Sequence, residues 1–196
     1  EPGYNALQFE NCQNFWTKNL TIMHSDNGIN IRTSSYGEVE DISMKGRRGH
    51  HGFDIAHSSN TIISNVNFDN TENYIHSITI NHKANGNVVR NVTGPDLVKL
   101  DFHRNVPFSN LWTDIRAAWN LESSGDGKAG PHAGGWNVYW GLSGQSTALY
   151  WGDFDDWKEH WGIYQGTIVS GLQTDEIFTE EREWYEDVPD LPEKDL

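Results

Sequence analysis

Between His51 and Ile115 the chain returns to one pattern without repeating one sequence, and this recurrence limits the fold more than any other feature. Phe53-Asp54-Ile55, Ile78-Thr79-Ile80 and Leu100-Asp101-Phe102 are each an apolar, polar, apolar triplet, the pattern of a short strand with one inward face. A second series alternates with it: Ser64-Asn65-Val66, Arg90-Asn91-Val92 and Ser109-Asn110-Leu111, each preceded by a short apolar pair. Upstream, Ile29-Asn30-Ile31 extends the first series, and Lys18-Asn19-Leu20 and Glu40-Asp41-Ile42 extend the second. The first series is spaced by 24, 25 and 22 residues and the second by 22, 24, 26 and 19.

Periods of this length belong to solenoids. Several strands per period and almost no helical periodicity narrow the choice to an all-β parallel β-helix of about five or more coils, stacked at the inter-strand distance of about 4.8 Å. The column Asn19, Asp41, Asn65, Asn91, Asn110 reads as a polar ladder inside one corner, because a side-chain amide in a turn can bond its own backbone and the matching amide one coil away. Two of these asparagines, Asn19 and Asn91, also start Asn-X-Thr sequons; their place in an internal ladder predicts that neither carries a glycan. Residues 1–174 form the expected β-helix domain and 175–196 an acidic tail packed on its side, with Trp184 and Tyr185 as the docking residues. Trp16, Leu20, Ile22, Ile29, Ile31, Ile42 and Met44 are the expected core of the first coils, and further strands are expected near 136–140, 148–151 and 166–170.

Composition enters mainly through what it excludes. A net charge of −14, from 28 acidic and 14 basic residues, leaves no basic patch for nucleic acid. The single cysteine, Cys12, rules out an internal disulfide and a cysteine zinc site. No apolar run approaches the length of a membrane span. The chain opens at Glu1 almost directly into a coil, so the expectation is that further coils or a second chain cover the first edge, since a bare β-helix end invites strand addition.

Three loops carry chemistry-bearing residues. Gly46-Arg47-Arg48-Gly49-His50-His51-Gly52 brings two cations and two imidazoles to the start of a strand. Asp69 to Tyr74 offers Asp69 and Glu72 to a hard cation, but two carboxylates at this spacing do not make a calcium loop, and a plain surface turn is the better reading. Glu122 to Gly135 is a long Gly-rich loop containing His132.

Gly46-Arg-Arg-Gly-His-His51, Ala84-Asn-Gly-Asn-Val-Val-Arg90, Asp101-Phe-His-Arg104, Asn110-Leu-Trp-Thr-Asp114 and Gly130-Pro-His-Ala-Gly134, with Trp184-Tyr-Glu ahead of Pro189, resemble the C-terminal β-helix domain of secreted bacterial and fungal proteins of the pectate-lyase-like superfamily. The resemblance covers most of the chain and is specific in these short blocks. It implies a right-handed parallel β-helix, an extracellular setting, polysaccharide as substrate class and further N-terminal coils; it assigns no catalytic residues.

The coil register then locates the chemistry. With Phe53, Ile55, Ile78, Ile80, Leu100 and Phe102 inward, Asp54, Thr79, Asn81, Lys99, Asp101 and His103 point outward on one face, with Asn30 and Arg32 a coil before and His57, His82 and Arg104 at the strand ends. The leading expectation is glycosidic hydrolysis by a carboxylate pair, Asp54 and Asp101, with His82 and His103 as further catalytic candidates and Arg48, His51, His57, Lys99, Arg104 and His132 as substrate contacts. The first alternative is a lyase, in which Arg104 or Lys99 neutralises a uronate and His82 or His103 removes a proton. The second is a non-catalytic carbohydrate-binding or adhesive β-helix, recognisable by a flat aromatic platform. A zinc site from His57, His82 and His103 was the third reading of the same residues, blurred by turn offsets. The expectation is therefore no cofactor or metal, with calcium only the minor reading at Asp69.

Overall fold

The structure is a computed structural model that describes residues 4–70, 74–124, 133–142, 168–170 and 186–188. It is all-β: a parallel β-helix of about five turns, as the recurrence predicts. The strands are β1 (Asn5–Glu10), β2 (Trp16–Met23), β3 (Asn27–Arg32), β4 (Glu38–Gly46), β5 (His51–Ala56), β6 (Ile62–Asn70), β7 (His76–Asn81), β8 (Val88–His103), β9 (Leu111–Ser124), β10 (Val138–Trp140), β11 (Ile168–Ser170) and β12 (Glu186–Val188). β1, β3, β5, β7 and the second halves of β8 and β9 stack as one parallel face. β2, β4, β6 and the first halves of β8 and β9 make a second face, continued by β10, β11 and β12. A third, narrow side is a file of single bridges through Gln13, Ser35, Ser59, Asn85 and Phe108.

The triplets stack in the predicted register, with Ile29, Phe53, Ile78 and Leu100 in one inward file and Ile31, Ile55, Ile80 and Phe102 in the next. All eight are buried, each contributing about 1.5–3 kcal/mol over an exposed side chain. A matching file enters from the second face: Val39, Ile63, Val89, Trp112 and Tyr139. Trp16 does not belong to this core. It aligns with Glu38 and Ile62 on the outside and is 74% exposed, because Thr17 takes the inward position beside Val39.

Two stacked glycines set the entry to the first face. A Cβ on Gly28 would lie 2.3 Å from the carbonyl oxygen of Gly52, and one on Gly52 would lie 2.4 Å from that of Ser77. Neither position has room for a side chain, so each coil settles directly on the next at this edge.

The corner ladder exists, with two corrections. Asn19, Asp41, Asn65, Asn91, Asp114 and Gly141 all adopt left-handed φ, between 52° and 63°, where short polar side chains and glycine are tolerated best. Asn91 Nδ2 donates to Asn65 Oδ1 at 2.6 Å and Asn65 Nδ2 to Asp41 Oδ1 at 2.9 Å. These side chains lie on the outside of the bend, so the ladder is external and gives no reason against a glycan on the exposed Asn19. Asn110 belongs to a different, buried ladder. Its Oδ1 accepts from Asn87, while its own backbone N–H and Nδ2 donate to Asn137 Oδ1, and Asn87 Oδ1 in turn accepts the backbone N–H of Thr61.

Of the strands expected late in the chain, Val138–Trp140 and Ile168–Ser170 are present, and 148–151 lies outside the described residues. Within the acidic tail, Glu186–Val188 pairs in parallel with Ile168–Ser170 as a further rung.

Candidate functional site

Strand alternation sends one outward column of the first face through Gln8, Asn30, Asp54, Thr79 and Asp101, and a second through Glu10, Arg32, Ala56, Asn81 and His103. Neighbours within a column are one rung apart, about 4.8 Å. Polar groups interlock across the rungs.

Asp54 is the hub at the lower end of the site. It accepts from Asn81 Nδ2 at 2.5 Å, Arg32 Nη2 at 3.2 Å and Asn30 Nδ2 at 3.3 Å. Arg32 Nε also donates to Asn30 Oδ1 at 2.8 Å, which leaves the half-exposed guanidinium braced on two sides with part of its edge toward solvent. In front of this group opens a cleft of about 390 Å³, lined by Gln8, Glu10, Asn30, Arg32, His51 and Asp54 among others. Among the described residues its walls are amides, carboxylates, imidazoles and one guanidinium, with no Trp, Tyr or Phe.

Asp101, two rungs from Asp54, has a side chain with no exposed surface. Its Oδ2 faces three groups: His103 Nδ1 at 3.2 Å, Thr79 Oγ1 at 3.3 Å and His76 Nδ1 at 3.5 Å. Thr79 also sits 2.8 Å from His51 Nδ1. A hydroxyl has one proton, so if Thr79 gives it to the carboxylate it must accept from His51, which assigns His51 the Nδ1–H tautomer. Burial, and then the neighbouring His50, His76, His103 and Arg32, push the His51 imidazole down to about 2, so the ring is neutral wherever the protein is handled. His50 stacks on His51 with centroids 4.2 Å apart and is also held below the usual histidine range, by burial first and then by His76 and His103. His76 completes the file, 5.1 Å from His51 and 5.5 Å from His103.

Around the corner, His57, His82 and Arg104 occupy successive left-handed positions, with φ of 52°, 50° and 67°. The His57 and His82 rings are 4.8 Å apart, and His82 Nδ1 meets Asn81 Oδ1 at 2.6 Å. Burial, followed by His57 and Arg104, lowers the pKa of His82. Asn81 thus joins this corner to Asp54.

The structure therefore gathers Asp54, Asp101 and His103 on one face, as the register predicts, brings His51 to the same face from the first position of β5, and sets His57, His82 and Arg104 on the adjoining turn. Lys99 lies on the same strand as Asp101, its backbone N–H donating to Ser77 Oγ at 3.0 Å. Arg48 is exposed in the loop before β5, where its carbonyl accepts from Arg47 Nη1 at 3.1 Å. His132 and Glu72 lie outside the described residues, and Asp69 pairs with Lys45 at 3.4 Å. The zinc reading of His57, His82 and His103 is not the grouping that forms: among the described residues, the donor atoms that converge are those of His76, Asp101 and His103, within 4.8 Å of one another.

Sequence reasoning missed Glu10 and His76 and left Arg32 outside the catalytic set. His76 precedes Ile78 by two, so strict alternation reads it as inward, yet at the first residue of β7 its ring turns to the outer face beside Asp101. Its coil-to-coil alignment with His51 was the available signal. No family model, curated protein or solved structure matches the chain, and what the structure supports is the parallel β-helix fold.

Proposed function

We propose that this face binds a neutral polysaccharide and cleaves it by glycosidic hydrolysis, with Asp54 as one carboxylate and Glu10 as the other. The observation that carries the reading is that both carboxylates line one open cleft whose remaining walls are amides, imidazoles and a braced Arg32. Asp54 has its oxygens set as acceptors by three donors, the arrangement of a group that orients a water. Glu10 is exposed at the cleft mouth, where it can meet a leaving oxygen. The two lie two rungs apart and are offset by two residues along the strands. Their Cα atoms are thus about 12 Å apart, so side chains leaning toward each other would reach the about 6.5–9.5 Å carboxyl separation of an inverting pair more readily than the about 5–5.5 Å of a retaining one.

Asp101 is the less suitable second carboxylate, because a side chain with no exposed surface cannot touch a sugar. Elimination on a uronate is disfavoured by the charge at the cleft: among the described residues Glu10 and Asp54 oppose a single Arg32, and the His51 ring is neutral. Binding without cleavage lacks its usual feature among the described residues, where no aromatic platform faces the cleft. An extracellular setting follows from the same reading, as the place where a long polymer substrate would be met. The test is incubation of the protein with a panel of neutral and uronic polysaccharides, reading new reducing ends together with ultraviolet absorbance of unsaturated ends. Reducing ends from a neutral polymer without the unsaturated product support hydrolysis. Unsaturated product from a uronate selects elimination, and binding without either signal selects the non-catalytic reading.

A further inference from the structure

We infer that His76, Asp101 and His103 form a binding site for one divalent transition-metal ion, with zinc the best fit. Three donors approach one oxygen, Asp101 Oδ2: His103 Nδ1 at 3.2 Å, Thr79 Oγ1 at 3.3 Å and His76 Nδ1 at 3.5 Å. A carboxylate oxygen has two lone pairs, which the Thr79 and His103 contacts already occupy, so the His76 nitrogen at 3.5 Å approaches it with no lone pair of that oxygen left to bond. The distances are also long for bonds to a buried carboxylate, which run at about 2.7–2.9 Å. They are the right length for something else. Ligands held about 2.0–2.1 Å from a tetrahedral ion lie about 3.3–3.4 Å from one another, and both His–Asp separations fall around that value.

The chemistry of the set points the same way. Two imidazoles and one carboxylate are a poor match for calcium, which takes 6–8 oxygens, but a three-ligand set of the kind that holds zinc with one position left open. The His76 and His103 side chains keep 12% and 16% of their surface exposed while Asp101 keeps none. The two imidazoles therefore reach the solvent side of the sheet, the route by which an ion would enter. Thr79 and His51 supply the supporting bonds: the Thr79 hydroxyl fixes the carboxylate and His51 fixes the hydroxyl. Asp101 and His103, two apart on β8, project from one face by strand alternation, and His76, at the first position of β7, turns its ring to the same face from the neighbouring rung.

This inference does not depend on the polysaccharide reading, and its test needs no substrate. The protein is stripped with a chelator and titrated with Co²⁺ alone, followed by Zn²⁺ competition. The expected result is one Co²⁺ per chain with the ligand-field spectrum of a four-coordinate nitrogen and oxygen site, displaced by Zn²⁺. His76→Ala and His103→Ala should each abolish that spectrum, Thr79→Val should weaken binding by about 10–100-fold, and the corner variant His82→Asn should bind like the parent. Should the alanine variants fail to fold, nitrogen-15 imidazole resonances of the parent decide: Zn²⁺ must shift the Nδ1 signals of His76 and His103. A folded parent that takes up no Co²⁺, shifts confined to His57 and His82, or unchanged binding in folded His76→Ala and His103→Ala would each overturn the site.

Discussion

Asn110 Oδ1 accepts both the backbone N–H of Asn87, at 3.1 Å, and the side-chain N–H of the same residue, at 3.0 Å. Asn137 repeats the arrangement on Asn110 one coil later, at 3.0 and 3.1 Å. The turns inside the solenoid are thus tied coil to coil by buried amides. Asn110→Ala leaves donors of Asn87 buried without a partner, at about 1–3 kcal/mol each, so chemical denaturation should show a loss of about 3 kcal/mol or more. Asn65→Gly, on the exposed ladder, keeps the left-handed bend and should cost about 1 kcal/mol or less. Equal losses in the two variants would contradict the distinction between inner and outer ladders.

Gly52→Ala tests the close stacking at the entry to the first face. The added methyl would meet the Ser77 carbonyl and the Phe68 ring, and backbone cannot swing aside as a flexible side chain can. A destabilisation of about 1–3 kcal/mol is expected, read as a lower denaturation midpoint with an unchanged slope. A neutral outcome would mean that the coils are more widely spaced at this edge.

Glu10→Gln separates chemistry from folding. Glu10 is exposed, its carboxylate taking a hydrogen bond from Gln8 Nε2 at 2.6 Å, so the variant should melt with the parent. Hydrolysis of a neutral polymer should fall by about 10²-fold or more if Glu10 moves the proton. Asp54→Asn should lose activity and some stability together, because the amide cannot accept all three bonds. Full activity in Glu10→Gln would remove it from the mechanism.

His82 gives the pH dependence a definite sign. Its folded pKa is lowered by burial, His57 and Arg104. Above about pH 6.5 neither the folded nor the unfolded chain protonates this ring. As the pH falls below that value the unfolded chain takes up a proton that the folded chain resists, so stability declines until the lower folded pKa is reached. Asn tolerates left-handed backbone and does not titrate, so His82→Asn should lose less melting temperature between about pH 6.5 and 5 than the parent does. Parallel melting curves across that range would exclude this contribution.

The inward files at Ile29, Phe53, Ile78 and Leu100 were legible because side-chain alternation and coil spacing agree there. Asn110 was misread because Ser109-Asn110-Leu111 imitates Ser64-Asn65-Val66 while lying in another part of the coil. The signal was its spacing of 19 after Asn91, against 22 to 26 elsewhere, whereas the true corner, Asp114, comes 23 later. Trp16 was misread because bulk suggested burial while its parity, one before Thr17, placed it outside. At the site, Asp54, Asp101 and His103 followed from alternation. His76 did not, because the first residue of a strand is not yet bound by the pleat, and Glu10 did not, because β1 lacks the apolar triplet that marks the other strands.

The left-handed corners make coil length a discrete quantity. One residue added between corners would flip every side chain beyond it to the other side of the wall. Positions 24–26 and 47–50, which join the second face to the first, already differ in number from coil to coil. New residues can therefore be absorbed there without disturbing the frame, and the second of these joins delivers His50 and His51 to the cleft. Evolution of such a chain has its freedom concentrated at the rim of the site, so kindred proteins should share the wall and diverge in the chemistry it presents.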